Sequence, residues 1–423
     1  MSPRIAGIIV NMVPYHHARW EAIASQWEAE VHLVELTSRD DFKVLEFSQS
    51  STYHRHALLD DSEDKNIPAS QLIRRMAAKL DQIQPEVICV SGWGLAVSLA
   101  AMRWASLNRI PIVMLSESNE FDEVRSVLKE WVKRRLLGLS SAGLAGGSPQ
   151  ADYLVKLGLP RESVFVGYDV VDNDFFGNRV KEIKDSEIRF QKSGDFDFTK
   201  RYFFACARFG KKKNVPGLIR AFSKYRKVAL MKSGLEILDS GFNSQVSSFA
   251  SSPCDLVIAG EGEERLGIEE AIRVNHLERF VHLVGAKSFL ELPAYYALSV
   301  AFIHASTTEQ WGLVVNEAMA SGAPVLVSNR CGCARDLVRE GENGYTFDPQ
   351  NEEELSELMV KISNDENERL RMGGKSREII ANWGPQRFVS GLTCAIHTAL
   401  SQKNRGHNFL GKLVLNLMLS HRN

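Results

Sequence analysis

Leu256-Val257-Ile258-Ala259-Gly260-Glu261-Gly262 decides the fold class. Four consecutive apolar residues leave no polar face, so a strand built from them must be covered on both sides, and the glycines end it abruptly. Val87-Ile88-Cys89-Val90 has the same character. Working outward, similar short runs recur at Ile5–Asn11, Glu30–Val34, Ile112–Ser116, Gly143–Gly146, Val164–Tyr168, Tyr202–Ala207, Val281–Val284, Val300–His304 and Pro324–Val327, with helically spaced stretches between most of them. Alternation of buried strands with helices predicts an α/β chain with doubly wound parallel sheets.

The charged, Ser-Gly-containing stretch 181–200 interrupts the rhythm and reads as a linker. It separates a Rossmann-like domain at 1–180 from a second at 201–385, followed by a helical segment at 386–423 that can pack back on the first domain. Ser240–Pro253, rich in Ser and Gly, reads as a surface loop.

The 423 residues are 44% hydrophobic, enough for two substantial cores. Lys+Arg 51 against Asp+Glu 52 leaves a net charge of −1, which gives nucleic acid no global field to bind. The scattered Cys89, Cys206, Cys254, Cys331, Cys333 and Cys394 form no CxxC pair and suit a reducing, cytoplasmic setting. The amino terminus reads as a first strand rather than a signal peptide, and Leu413–Leu419, broken by Asn416, is too short to span a membrane.

In open parallel sheets ligands bind beyond the carboxyl ends of strands, so the residues there carry the chemistry. His304 to Gly322 reads strand, loop, helix and places Glu309 in the loop and Glu317 in the second helical turn. Gly312 lets the amides at the helix start approach an anion. Two carboxylates beside a phosphate suit hydroxyl partners, such as a sugar and a ribose. On the residues alone, a helix-capping Glu309 and a solvated Glu317 fit equally well. After the strand at Tyr202, Arg208 and Lys213 stand where phosphate would bind: Arg can grip it bidentately and Lys adds a compact charge.

These segments resemble the signatures of the retaining glycosyltransferases of family 4, also called glycosyl transferases group 1, whose GT-B fold sets two Rossmann-like domains facing across a cleft. Arg208 and Lys213 match that family's diphosphate-contacting Arg and Lys. Glu309 and Glu317 match its pair of glutamates, the first orienting the donor sugar and the second holding the ribose. Gly260-Glu261-Gly262, Val281 to Gly285, Tyr295-Tyr296-Ala297 and Glu342-Asn343-Gly344 follow in the same order, so the resemblance spans Tyr202 to Pro349. It implies Gly260, Gly285, Trp311, Gly312, Leu313 and Glu317 at the donor, with Arg208, Lys213 and Glu309 catalytic.

The first half departs from the pattern. Pro14-Tyr15-His16-His17-Ala18-Arg19 stands where the family has glycines, and Glu117 in Ser116-Glu117-Ser118 where many relatives have a histidine. Glu117 is therefore assigned a sugar contact and counted with Arg208, Lys213 and Glu309 as catalytic, with Tyr15, His16, His17 and Ser118 as cleft or acceptor candidates; a polar helix start fits the histidines equally. Asp172-Asn173-Asp174 looks like a metal-binding DxD but lies in the family's connector, and Cys331-Gly332-Cys333 lacks zinc spacing and reads as a turn. No metal or cofactor is expected. Phe121–Leu137 interleaves Arg125, Lys129, Lys133, Arg134 and Arg135 with apolar residues. It reads either as a membrane-docking amphipathic helix or as a packed helix with a solvated basic edge, and Leu410–Leu419 with Arg405, Lys412 and Arg422 allows the same pair.

The resulting expectation is metal-independent transfer of a hexose-type sugar, with retention, from a nucleotide sugar such as a UDP-sugar to a glycan or lipid-linked acceptor, as in polysaccharide biosynthesis, with peripheral contact at an anionic membrane. A nucleotide-sugar epimerase and a catalytically silent partner subunit are the alternatives.

Overall fold

The computed structural model describes residues 2–38, 52–60, 62–63, 66–185, 196–232, 253–402 and 408–421. Contacts divide the chain into two compact units, Met1–Asp172 with Trp383–Asn423, and Asn173–Asn382.

The first unit holds strands β1 (Arg4–Ile9), β2 (Glu30–Thr37), β3 (His54–Leu59), β4 (Val87–Ser91), β5 (Ile112–Ser116), β6 (Ala142–Ala145) and β7 (Val164–Val166). The second holds β8 (Tyr202–Cys206), β9 (Asp255–Ala259), β10 (Val281–Leu283), β11 (Ala301–His304), β12 (Val325–Ser328) and β13 (Gly344–Phe347). Their orders are β3-β2-β1-β4-β5-β6-β7 and β10-β9-β8-β11-β12-β13, and every pairing is parallel. In each sheet the order reverses beside the unit's first strand, between β1 and β4 and between β8 and β11. Such reversals splay the crossover helices to opposite faces and open a crevice at the carboxyl ends.

Burial explains the apolar strands. Ile88 and Val90 enter one core of the first unit, whereas Val87 and Cys89 point to the opposite face, where the helix Pro385–Ser401 adds Phe388, Leu392 and Ile396. In the second unit Leu256 and Ile258 meet Phe203, Phe222 and Ile268.

All eleven expected strands form, Val87–Ser91 and Ile112–Ser116 with the expected bounds and the other nine with ends shifted by one to three residues. β3 and β13 were not expected: both are sheet edges, and His54-Arg55-His56 and Tyr345-Thr346 lack the apolar runs of central strands. Contacts group the helix Asn173–Asp185 with the second unit, where the expected division falls at 180, and the chain rejoins the first unit at Trp383, where the expected helical segment begins at 386. Of the expected linker, residues 186–195 lie outside the described residues, as do 240–252 of the expected loop.

The expected helix Phe121–Leu137 begins only at Val127, where the Ser126 side chain accepts from the Lys129 amide at 3.2 Å. Ahead of it, the Phe121 amide donates to Asn119 Oδ1 at 2.8 Å and Arg125 Nε to the Glu120 carbonyl at 2.9 Å, bonds that hold a turn instead. Its positive field is also smaller than the cation count implies. Arg125 pairs with Asp122 and Glu123, and Lys133 is buried with its ammonium 2.7 Å from Glu123 and 3.2 Å from Glu130.

Candidate active site

In the second unit, the loops after β8 and β11 meet at the sheet's reversal point. Lys213 lies in the turn Lys211–Lys213 and Glu309 in the loop after His304, and the Thr307 amide donates to the Lys212 carbonyl at 2.8 Å, tying the loops together. Lys213 and Glu309 form an ion pair. Glu309 Oε2 also lies 3.6 Å from His304 Nε2 and 3.5 Å from Ser306 Oγ. Burial alone would raise the Glu309 carboxyl; His304 and Lys213 outweigh it and hold it far below the usual carboxylate range. Burial, ahead of the opposing pull of Glu309, lowers the fully enclosed His304 imidazole below its ordinary range. The loop is braced from β12: the Glu309 amide donates to the Arg330 carbonyl at 3.2 Å and its carbonyl accepts from Gly332 at 3.1 Å. That is what the turn Cys331-Gly332-Cys333 does, and both thiols stay buried, unpaired and pushed up by burial.

Gly312, with φ +102°, precedes the helix Leu313–Ala320, and a Cβ there would lie 3.4 Å from His304 Nε2 and 3.6 Å from Glu309 Cγ. The left-handed turn therefore aims the first helical amides beside Glu309. Leu313 is half-buried at that start. Trp311, expected at the donor, has its ring 1% exposed with Nε1 donating to Asn316 Oδ1 at 2.9 Å, so the side chain anchors the loop. Gly260, φ +144°, ends β9 where a Cβ would lie 1.9 Å from the Ala207 carbonyl, so only glycine lets these two strand ends approach. Its amide donates to the Gly285 carbonyl at 2.8 Å. Arg208 stands exposed after β8, without an ion pair among the described residues.

Glu317 is buried, 8% exposed, where a solvated surface glutamate was the alternative. Tyr296 donates to its Oε2 at 2.8 Å, yet burial prevails and pushes the carboxyl up to about 7. His304 and Ser306 carried no assigned role in the sequence reading, and Tyr296 entered it only within the Tyr295-Tyr296-Ala297 segment of the resemblance.

In the first unit the expected residues also gather at the carboxyl edge. The helix Pro14–Gln26 follows β1 and carries Tyr15, His16, His17 and Arg19, while Glu117 and Ser118 follow β5. Arg19, fully buried, reaches Asp169 Oδ1 at 3.4 Å and the Val170 carbonyl at 3.2 Å, with its guanidinium 5.0 Å from the Tyr15 ring and 4.7 Å from the Tyr168 ring. Burial and the neighbouring Glu117 carboxylate push Asp169 well up, against the pull of Arg19. His16 is lowered to about 3 by burial and by Arg19; His17, also lowered by burial, places Nδ1 2.7 Å from the Tyr53 hydroxyl. Arg19 and Asp169 are additions to the expected set. Asp172 precedes and Asn173 and Asp174 begin the helix Asn173–Asp185, where Asn173 Nδ2 donates to the Ile380 carbonyl at 2.7 Å.

Residues 186–379 match the family model of glycosyl transferases group 1. That region encloses Arg208, Lys213, Glu309 and Glu317. An uncharacterized glycosyltransferase of Haemophilus influenzae is 29% identical over 32% of this chain and 38% of its own length. The alpha-monoglucosyldiacylglycerol synthase of Acholeplasma laidlawii is 27% identical over 38% of this chain and 34% of its own length. The matches thus span well under half of these relatives. Among solved structures, HepE of Anabaena in complex with UDP and glucose superposes with a TM-score of 0.69 at 15% identity, covering 93% of this chain and 99% of that one. The fold is GT-B, with two Rossmann-like parallel-sheet domains.

Proposed function

We propose that this chain is a retaining, metal-independent glycosyltransferase that moves a hexose-type sugar from a nucleoside diphosphate sugar to a glycan or lipid-linked acceptor. The observation that carries the reading is the grouping of Lys213, Glu309 and the Gly312 helix start at one sheet reversal, inside the region that matches glycosyl transferases group 1. Lys213, Arg208 and the free amides after Gly312 would take the diphosphate, and Glu309 the donor-sugar hydroxyls, while Glu317 would accept from the ribose. As the anomeric C–O bond to the departing phosphate breaks, a bond forms to the acceptor oxygen on the same face. The acceptor proton passes to the leaving phosphate. Glu117, beside Asp169, is the first unit's sugar contact. The HepE complexes with UDP and with UDP-glucose support a UDP-sugar donor.

For the acceptor, one surface favours a lipid. Val124, Val127, Leu128, Phe409, Leu413 and Leu417 are all 47% to 91% exposed, on or just ahead of the helices Val127–Leu137 and Phe409–Ser420, which pack side by side. No helix among the described residues is long and apolar enough to cross a membrane. An apolar patch of this kind instead fits peripheral docking at an anionic inner membrane face.

A panel of nucleoside diphosphate sugars tests the assignment by thermal shift, since a ligand bound only by the folded state raises apparent stability. Turnover with acceptor, then NMR of the product's anomeric proton, reads retention. No shift with any nucleotide would sink the reading, and sugar interconversion without acceptor would favour the epimerase.

A further inference from the structure

At the amino-terminal ends of β2 and β3, on the face whose later residues Val34 and Leu58 enter the core, the strand pairing brings imidazoles and a carboxylate together. His32 is opposite His54 in the parallel register, and Glu30 and His56 stand two residues away on the same face. The His32 ring stacks on His54 with centroids 4.8 Å apart and on His56 at 5.2 Å. His32 Nε2 is 3.0 Å from Glu30 Oε1, and His32 Nδ1 is 2.9 Å from His56 Nε2. One donor atom each from Glu30, His32 and His54 lie within 4.8 Å of one another, in a chain region that no part of the sugar chemistry uses.

We propose that Glu30, His32 and His54 bind a borderline divalent cation of the Zn2+ class, with His56 as a positioning residue that fixes the His32 ring. Two imidazoles and a carboxylate are a donor set suited to Zn2+, leaving a fourth position for water. Ligand atoms around tetrahedral Zn2+ stand roughly 3.4 Å apart, so the gap must narrow. Glu30 and His54 are exposed and can rotate to do so, while His32 is held in the sheet.

The outer contacts fit as well. Nδ1–H of His32 donated to His56 Nε2 leaves the Nε2 lone pair facing the Glu30 carboxylate, two acceptors that require a cation between them. A proton on Nε2 is the metal-free solution; the third donor, His54, stacked against the same ring, is what points to a metal. Arg4 Nε holds the other Glu30 oxygen at 2.8 Å, the kind of second contact that orients a ligating carboxylate. Substrates bind at carboxyl strand ends, and this cluster sits at the opposite ends. Its consequence is therefore a staple that ties edge strand β3 to β2, separate from turnover.

The test uses the untagged full chain, stripped with a chelator, titrated with Zn2+ by calorimetry and followed by thermal melting. One equivalent should bind and raise the melting temperature, while Mg2+ at the same concentration does neither. His54→Ala should weaken Zn2+ at least tenfold with the metal-free melting temperature unchanged, because His54 is exposed; Glu30→Gln should weaken it similarly, and His56→Ala about tenfold. Co2+ should give the intense visible absorption of a four-coordinate site, lost in His54→Ala. UDP-induced thermal shift should be the same in parent and variants, so that failure here and failure of the transferase reading separate. No saturable Zn2+ binding by the parent overturns the proposal, as do unchanged affinity in His54→Ala and equal binding of Mg2+.

Discussion

Lys213 and Glu309, 96 residues apart in sequence, form an ion pair with side chains 17% and 11% exposed, at the point where the second sheet reverses order. Glu309 is thus a charged acceptor held ready, and Lys213 a cation already desolvated. A diphosphate arriving beside Lys213 would share it rather than recruit it from water, which is how a preorganised site avoids reorganisation during the reaction.

Removing Lys213 should cost stability as well as turnover. Lys213→Ala takes the ammonium away from the Glu309 carboxylate, at a cost of about 2 kcal/mol after discounting for partial exposure. The folded Glu309 carboxyl lies far below its unfolded value, so its contribution is present above pH 4.5 and lost as the pH falls. Urea unfolding should therefore show the parent losing more stability than Lys213→Ala between pH 6 and pH 3. Parallel curves would mean that the pair adds nothing.

Arg208 is exposed and free of ion pairs among the described residues, so Arg208→Ala should leave unfolding unchanged. If it meets the departing diphosphate, turnover should fall by about 2 to 4 kcal/mol, mainly in kcat. Normal kcat would place the leaving-group contact elsewhere.

Glu317 carries the opposite pH signature to Glu309. Its folded carboxyl is raised to about 7 by burial, so between pH 4.5 and pH 7 the folded chain binds more protons than the unfolded one, and stability falls as the pH rises. Glu317→Gln should match the parent near pH 4 and exceed it above pH 7 by on the order of 3 kcal/mol. The same variant should bind UDP and the complete donor more weakly by equal factors, since both carry the ribose. Unaltered UDP affinity would remove Glu317 from the ribose.

How much of this was legible follows from the residues. Central strands such as Val87–Ser91 and Asp255–Ala259 are apolar on both faces and could be read directly; β3 and β13, half-polar edges, could not. Lys213 and Glu309 were legible because strand ends are where chemistry gathers. Arg19 and Asp169 were not, because 150 residues separate them and only the β1, β7 geometry closes the gap. Counting cations along Arg125–Arg135 overstated the field, because Asp122, Glu123 and Glu130 fold back on Arg125 and Lys133.

That correction changes the expected mode of membrane binding. With Arg125 and Lys133 neutralised, Lys129 and Arg134 remain exposed, while Arg135 lies 5.3 Å from the Trp131 ring; each free cation near an anionic surface contributes about 1 kcal/mol. The larger contribution comes from apolar area: Val127 is 91%, Leu128 71% and Phe409 77% exposed, and their insertion is not screened by salt. Cosedimentation with phosphatidylglycerol vesicles should therefore weaken only partly between 50 mM and 500 mM salt. The triple variant Val127→Ser, Leu128→Ser, Phe409→Ser should release the protein at both salt concentrations without changing its unfolding, because these side chains pack on little within the chain. Binding that vanishes at 500 mM salt, or that survives in the triple variant, would return the interaction to the basic residues and leave the apolar patch without this role.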